Sequence, residues 1–155
     1  MKKATRYLLK NQPNTKLVMV SPISLENTKP NHCFQNSTLM AESDSSRYMI
    51  VSGWLVGDYF GEYGTAIVPH YWIKDNHTNA YFDPTPIEAA VKQVYEYVID
   101  FDIFIYGNKT SYIPAPLRLL DNDVLQVRLD ASKYENIKKI DMEYLYEVSR
   151  KAKQT

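Results

Sequence analysis

The sequence predicts an α+β fold in which a helix carrying the lone cysteine packs on a mostly antiparallel sheet. Two stretches rich in β-branched and aromatic residues, 47–56 and 65–73, have the composition of neighbouring strands. Two others, 33–42 and 85–100, have the composition and spacing of helices. At 155 residues, the chain is long enough to form one domain over 1–155 with its own core.

Composition and charge favour an ordinary globular protein. Apolar residues make up 45% of the chain, and 18 basic residues balance 18 acidic ones, so no overall field attracts nucleic acid or anionic lipid. The short apolar run 7–9 is interrupted by Lys10, and no stretch approaches the roughly 20 apolar residues that span a bilayer. A single cysteine cannot form an internal disulfide and suits a reducing compartment, so we expect a cytoplasmic protein.

The first third of the chain is predicted to contain one strand and one helix. We expect a loose, basic arm or an edge segment over 1–15, a valine-rich strand over 16–22 and a loop over 23–32. A helix of two to three turns should begin at Cys33 and end before the polar segment 43–46. Its predicted buried side chains are Phe34, Leu39 and Met40.

The middle of the chain should be a run of strands followed by a helix. We predict strands 47–56, 65–73 and 80–83, separated by a glycine-punctuated loop at 57–64 and a turn at 74–79. Gly53 should mark a bulge or a close approach. The apolar positions 87, 90, 91, 94, 95 and 98 form one helical face, and Thr85, Pro86 and Glu88 form an N-terminal capping pattern. Strands at 102–107 and 123–130 and a helical C-terminus beginning near Ser132 complete the prediction.

Cys33, His70 and Asp83 could act together. A cysteine attacks carbonyl carbon as a thiolate, and both the start of a helix and a nearby imidazolium lower its pKa. An imidazole works as a base when a third group holds its other nitrogen. Asp83 follows His70 across one predicted turn, so both side chains can lie on the same face of the sheet.

This pattern resembles the transglutaminase-like branch of the papain-like cysteine enzymes. Cys33 at a helix start, His70-Tyr71-Trp72 on a strand and Asp83-Pro84-Thr85 after the next strand match the family's order. The pattern "CFQN … SGW … PHYW … YFDPTP" is also similar to small bacterial and phage proteins of that superfamily. The resemblance implies a papain-like core over residues 30–86. It also implies attack by a thiolate on an amide or ester carbonyl, with Cys33 as nucleophile, His70 as acid and base and Asp83 as the orienting group.

Such chemistry needs oxyanion donors and a substrate surface. Besides the backbone N–H of Cys33, the candidate donors are the side chains of Asn27, Asn31 and Asn36. Trp54 and Trp72 are candidate walls of the site, and Tyr59 and Tyr63 flank a glycine-containing loop that could form its rim. The expected partner is a protein, peptide or other amide substrate, no cofactor is expected, and the sequence leaves the oligomeric state open.

Two alternatives remain open at this point. The chain could be a catalytically inactive binding protein of the same fold, of phage or host-interaction type, with the aromatic loop 59–63 as its working surface. A metal site could instead use Cys33, His70 and Asp83 with His32 or His77, although no close pair of ligands is present.

Overall fold

The computed structural model describes residues 1–30, 32–59, 64–86, 94–101, 117–120, 122–123 and 125–127. Within them, two helices and eight strands form an α+β fold, with six strands following the second helix. The elements are α1 (Lys3–Asn11), β1 (Thr15–Val18), β2 (Val20–Pro22), α2 (Cys33–Ser43), β3 (Tyr48–Tyr59), β4 (Thr65–Asp75), β5 (Tyr81–Asp83), β6 (Glu96–Asp100), β7 (Leu117–Leu119) and β8 (Leu125–Val127).

The antiparallel pair β3 and β4 forms the centre of the sheet, as their β-branched and aromatic composition predicts. The strand order is β1-β6-β3-β4-β5-β2, with β7 beside β4 and β8 beside β7. All the pairings described are antiparallel except that of β2 with β5. The central register places Gly53 opposite His70 on one side and opposite Ile99 on the other.

Alternation along these strands produces two apolar clusters. One cluster joins α1 to the sheet, and its fully buried members include Ala4, Leu8, Trp54, Val56, Ile67 and Val98. The other contains Val18, Val51, Trp72 and Ile99, with Tyr97 and Tyr81 packed against it. His70 is opposite Gly53 and Ile99 in the register, so its side chain lies on the face of this second cluster.

The prediction of a loose N-terminal arm over 1–15 is wrong. Residues 3–11 form α1, and Ala4 and Leu8, one turn apart, are buried in the first cluster. The helix is also held by hydrogen bonds, because the Lys2 N–H (2.7 Å) and the Thr5 hydroxyl (2.7 Å) both donate to Glu96 Oε1. In the sequence, the apolar residues at 4 and 8 are a weak helical signal, because the segment around them is polar and basic.

The predicted helix over 85–100 is contradicted at its C-terminal end. Residues 96–100 form β6, which pairs with β1 on one side and with β3 on the other. Backbone pairing on both edges outweighs the helical spacing, and Tyr-Val-Ile at 97–99 suits a strand. Residues 87–93, the predicted strand 102–107 and the helical C-terminus from 132 lie outside the described residues.

Smaller differences concern the ends and faces of elements. The predicted strand over 16–22 is two short strands, β1 and β2, on either side of Met19, and β3 continues to Tyr59. On α2, Met40 is buried as predicted, but Leu39 is 43% exposed. Gly53 does mark a close approach, because a Cβ there would overlap the carbonyl oxygen of Val98. Among the described helices, none is long and apolar enough to cross a membrane.

Candidate active site

The N-terminus of α2 brings Cys33 to the central strand β4. The outer edge of β4 pairs with β7 at 65–67 and with β5 at 73–74, and no described strand pairs with that edge between them. Within this gap, the backbone N–H of Tyr71 donates a hydrogen bond to the Cys33 sulfur. The Phe34 ring packs edge-on against the Tyr71 ring, with 5.1 Å between centroids, which anchors the start of α2.

His70 lies between Cys33 and Asp83. Its side chain hydrogen-bonds with that of Cys33, and its Nε2 lies 2.7 Å from Asp83 Oδ2. Since Nε2 is occupied by the carboxylate, Nδ1 is the ring nitrogen left for the sulfur. His70 is 8% exposed and Asp83 5%, whereas Cys33 remains partly accessible. The structure therefore brings together the three residues that the sequence singled out.

The backbone around Asp83 fixes its carboxylate. Asp83 Oδ1 accepts the N–H of Thr85 at 2.9 Å, which is the turn expected of an Asp two residues before Thr in Asp-Pro-Thr. The Asp83 carbonyl accepts the N–H of Ile23 at 3.0 Å and so ties β5 to the chain after β2. The strand-ending motif therefore both turns the chain and aims the carboxylate at His70.

Tyr97 is a site residue that the sequence analysis missed. Its hydroxyl donates to Asp83 Oδ2 at 2.7 Å, and its ring lies edge-on to His70 and Trp72, with centroid distances of 6.0 and 5.2 Å. Interpreting 85–100 as a helix hid this residue. The alternation of Tyr95, Tyr97 and Ile99 is the strand signal that could have revealed it.

The pKa values of Cys33, His70 and Asp83 are all shifted from their ordinary values. Burial alone would raise the pKa of Cys33, but the hydrogen bond and charge of His70 outweigh burial and lower it. Burial opposes the charged form of His70 as well, yet Asp83 and Cys33 raise its pKa to about 9. For Asp83, burial is outweighed by His70, the Thr85 N–H and the Tyr97 hydroxyl, and its pKa is lowered. These shifts favour a thiolate, an imidazolium and a carboxylate in a row.

The predicted substrate walls are buried instead. Trp54 is 1% exposed and belongs to the cluster under α1, where its Nε1 donates to Asp100 Oδ2 at 3.0 Å. Trp72 is fully buried and stacks beside His70 with 6.2 Å between centroids, so it shields the imidazole from water. The prediction that these two residues contact substrate is therefore wrong. Tyr59 is 53% exposed at the end of β3, and Tyr63 lies outside the described residues.

Of the three asparagines proposed as oxyanion donors, Asn36 is already fully engaged. Its Nδ2 donates to the Lys29 carbonyl (2.7 Å) and to Thr85 Oγ1 (3.1 Å), and its Oδ1 accepts the Lys29 N–H (3.1 Å). These bonds make Asn36 a brace between α2 and the turn after Asp83, so its assignment as an oxyanion donor is wrong. Asn27 is exposed in a turn with φ 64°, and Asn31 lies outside the described residues.

Backbone donors at the start of α2 are better placed for an oxyanion. The first hydrogen bond of the helix runs from the Asn36 N–H to the His32 carbonyl, at 2.8 Å. The N–H groups of Cys33 and Phe34 precede it and have no carbonyl partner within the helix. They belong to the nucleophile and the residue after it, so they lie near the position where the carbonyl oxygen of a substrate gains negative charge during attack by the sulfur.

Over the part of the chain that the structure describes, no group of three or more His, Cys, Asp or Glu side chains could hold a metal ion. Searches against protein-family models, curated proteins and solved structures find no match to this chain.

Proposed function

We propose that this protein is a cysteine-dependent hydrolase or acyltransferase that acts on an amide or ester carbonyl through a thioester. The observation that carries the proposal is the row of interacting side chains Cys33, His70 and Asp83, with the thiol pKa lowered by the imidazole. A partly accessible thiol with a lowered pKa, next to a buried and oriented histidine, is the arrangement that nucleophilic catalysis requires.

Formation of the thioester would begin with the thiolate of Cys33. Its sulfur attacks the carbonyl carbon, and the negative charge moves to the carbonyl oxygen near the N–H groups at the start of α2. As the tetrahedral intermediate collapses, the bond to the amine or alcohol breaks, and the His70 imidazolium gives its proton to that leaving group. Asp83 keeps the imidazole in the orientation that points Nδ1 at the sulfur.

Release of the acyl group would reverse these roles. Neutral His70 takes a proton from water or from an amine as that nucleophile attacks the thioester carbon. The carbon–sulfur bond then breaks, and the thiolate and imidazolium are restored. Water gives a peptidase, amidase or deamidase, and an amine gives a transglutaminase-like transfer.

A papain-like core is part of the same proposal. Two features of the fold support it: the nucleophile lies at the N-terminus of a helix, and the histidine and aspartate come from neighbouring antiparallel strands. Both features agree with the motif resemblance over residues 30–86. Because a nucleophilic thiolate must stay reduced to work, we place the protein in the cytoplasm and expect a protein or peptide amide as substrate.

Intact-mass spectrometry tests the proposal. The protein is exposed to a panel of activated esters, peptide amides and electrophiles, and the wild type is compared with Cys33→Ser. We expect a mass increase by one acyl group that hydroxylamine removes, and we expect it to be absent in Cys33→Ser.

His70→Ala should lose the adduct, while His77→Ala, which changes an exposed histidine in a turn, should keep it. Adducts of equal amount in the wild type and His70→Ala would refute the proposed chemistry. That outcome would leave the binding protein of the same fold as the better account.

A further inference from the structure

Asp83 Oδ2 is shared by two donors from different strands. His70 Nε2 from β4 and the Tyr97 hydroxyl from β6 each lie 2.7 Å from it, while Oδ1 accepts the Thr85 N–H. An oxygen that accepts two hydrogen bonds divides its negative charge between them. The Tyr97 hydroxyl therefore weakens the hold of Asp83 on the proton of His70.

The Tyr97 ring also limits the motion of the imidazole. It lies edge-on to His70, with an interplanar angle of 61°, and edge-on to Trp72, with an angle of 77°. Trp72 in turn stacks beside His70 at an interplanar angle of 24°. These contacts place aromatic carbon on two sides of the bond between His70 and Asp83, which keeps water away from that bond.

We infer that Tyr97 is a positioning residue of this site, with separate tasks for its hydroxyl and for its ring. The hydroxyl weakens the interaction of Asp83 with the imidazolium of His70, so that the imidazolium can release its proton to a leaving group. The ring keeps the pair of His70 and Asp83 dry and aligned. The catalytic role of Tyr97 rests on the proposed function, but its effect on the interaction between His70 and Asp83 does not depend on that function.

The other groups that face the pair are few within the described residues. Cys33 on α2 and Asp83 on β5 act on His70. Burial, together with the charge of Cys33, raises the pKa of the Tyr71 phenol on β4 to about 12. Burial and the charge of Asp83 raise the pKa of Tyr97 itself, and Tyr95 adds to the effect. Tyr97 consequently stays a hydroxyl donor throughout the range in which Cys33 and His70 exchange a proton.

Two substitutions separate the tasks. Tyr97→Phe removes the hydroxyl and keeps the ring, so Asp83 binds the imidazolium more strongly and the pKa of His70 should rise by about 0.5 unit or more. Tyr97→Leu removes both, so water reaches the pair and screens His70 from the charges of Asp83 and Cys33. Because those two groups together outweigh burial in raising the pKa of His70, that pKa should fall towards its ordinary value of about 6.5. The readout is the pH titration of the imidazole nitrogens of His70 by NMR. Tyr81→Phe, on the same apolar cluster, is the matched control and should leave that titration unchanged.

Alkylation provides a second readout that needs no substrate. Iodoacetate carries a charge that an imidazolium attracts, whereas iodoacetamide does not, so the ratio of their rates at Cys33 falls as His70 loses its proton. In Tyr97→Phe, this fall should move to higher pH by the same amount as the NMR titration.

An unchanged His70 titration in Tyr97→Phe, or a shift equal to that of Tyr97→Leu, would overturn the inference while leaving the proposed function intact. Opposite shifts in the two variants support the inference, even if no acyl-enzyme is ever captured, in which case the proposed function alone would fail. If Tyr97→Leu does not fold, the comparison of Tyr97→Phe with Tyr81→Phe still decides.

Discussion

His70→Ala should convert Cys33 from a reactive thiol into an inert one. In the wild type, the hydrogen bond and charge of His70 outweigh burial and lower the pKa of Cys33. Without the imidazole, burial and the charge of Asp83 remain and raise that pKa, and only the hydrogen bond from the Tyr71 N–H, a smaller effect than burial, still lowers it. The variant thiol should therefore ionise less readily than a small free thiol, while the wild-type thiol ionises more readily.

The size of the effect follows from two opposing trends. Well below the pKa, each unit by which it falls gives about tenfold more thiolate and makes each thiolate about threefold less nucleophilic, for a net gain of about threefold per unit. At about pH 6, the alkylation rate of the wild type should thus exceed that of a small thiol, and the rate of His70→Ala should lie below it.

Alkylation by iodoacetamide, followed by intact mass, measures these rates directly. The chain has one cysteine, so each added mass reports Cys33. Circular dichroism checks that His70→Ala folds, and His77→Ala serves as the control for removal of an imidazole. Equal rates in the wild type and His70→Ala would refute the pairing of thiol and imidazole.

Other perturbations test the fold and its pH dependence. Leu8→Ala should lower the free energy of unfolding by about 2–5 kcal/mol, because Leu8 is fully buried between α1 and the sheet, whereas Leu39→Ala should change it by less than about 0.5 kcal/mol. Similar losses in urea denaturation would mean that α1 does not pack on the sheet. Gly53→Ala should cost about 3 kcal/mol or more, since its Cβ would overlap a backbone carbonyl of β6, and an unaltered urea midpoint would contradict the pairing of β3 with β6. The pKa of His70 is raised on folding, so its contribution to stability is complete below about pH 6.5 and is lost as pH rises through about 9; the destabilisation caused by His70→Gln should therefore shrink over that interval, and a constant value would argue against the ion pair.

Local sequence patterns predicted the part of the fold that positions Cys33, His70 and Asp83. Composition and turn residues were enough to place β3, β4 and β5, and the start of α2 coincides with Cys33 as expected. His70 and Asp83 could be paired in advance because a single short turn separates their strands, which leaves little freedom in how the strands meet.

Features that depend on distant partners were missed. Tyr97 was hidden because the helical spacing of apolar residues over 87–98 runs into β6, where pairing with β1 and β3 favours a strand. Trp54 is predicted from the sequence as a wall of the site, yet alternation along β3 turns it to the opposite face, under α1. Asn36 is engaged by Lys29 and Thr85, contacts that no local pattern reveals.

In the proposed chemistry, Cys33 passes its proton to His70 at neutral pH. The most direct measurement is the ultraviolet absorbance of the thiolate, recorded as the difference between wild type and Cys33→Ser while pH is varied. We expect the thiolate to be present well below the ordinary thiol pKa of about 8.5 and to be lost on mild acidification. Thiolate that forms only at or above that value would contradict the account.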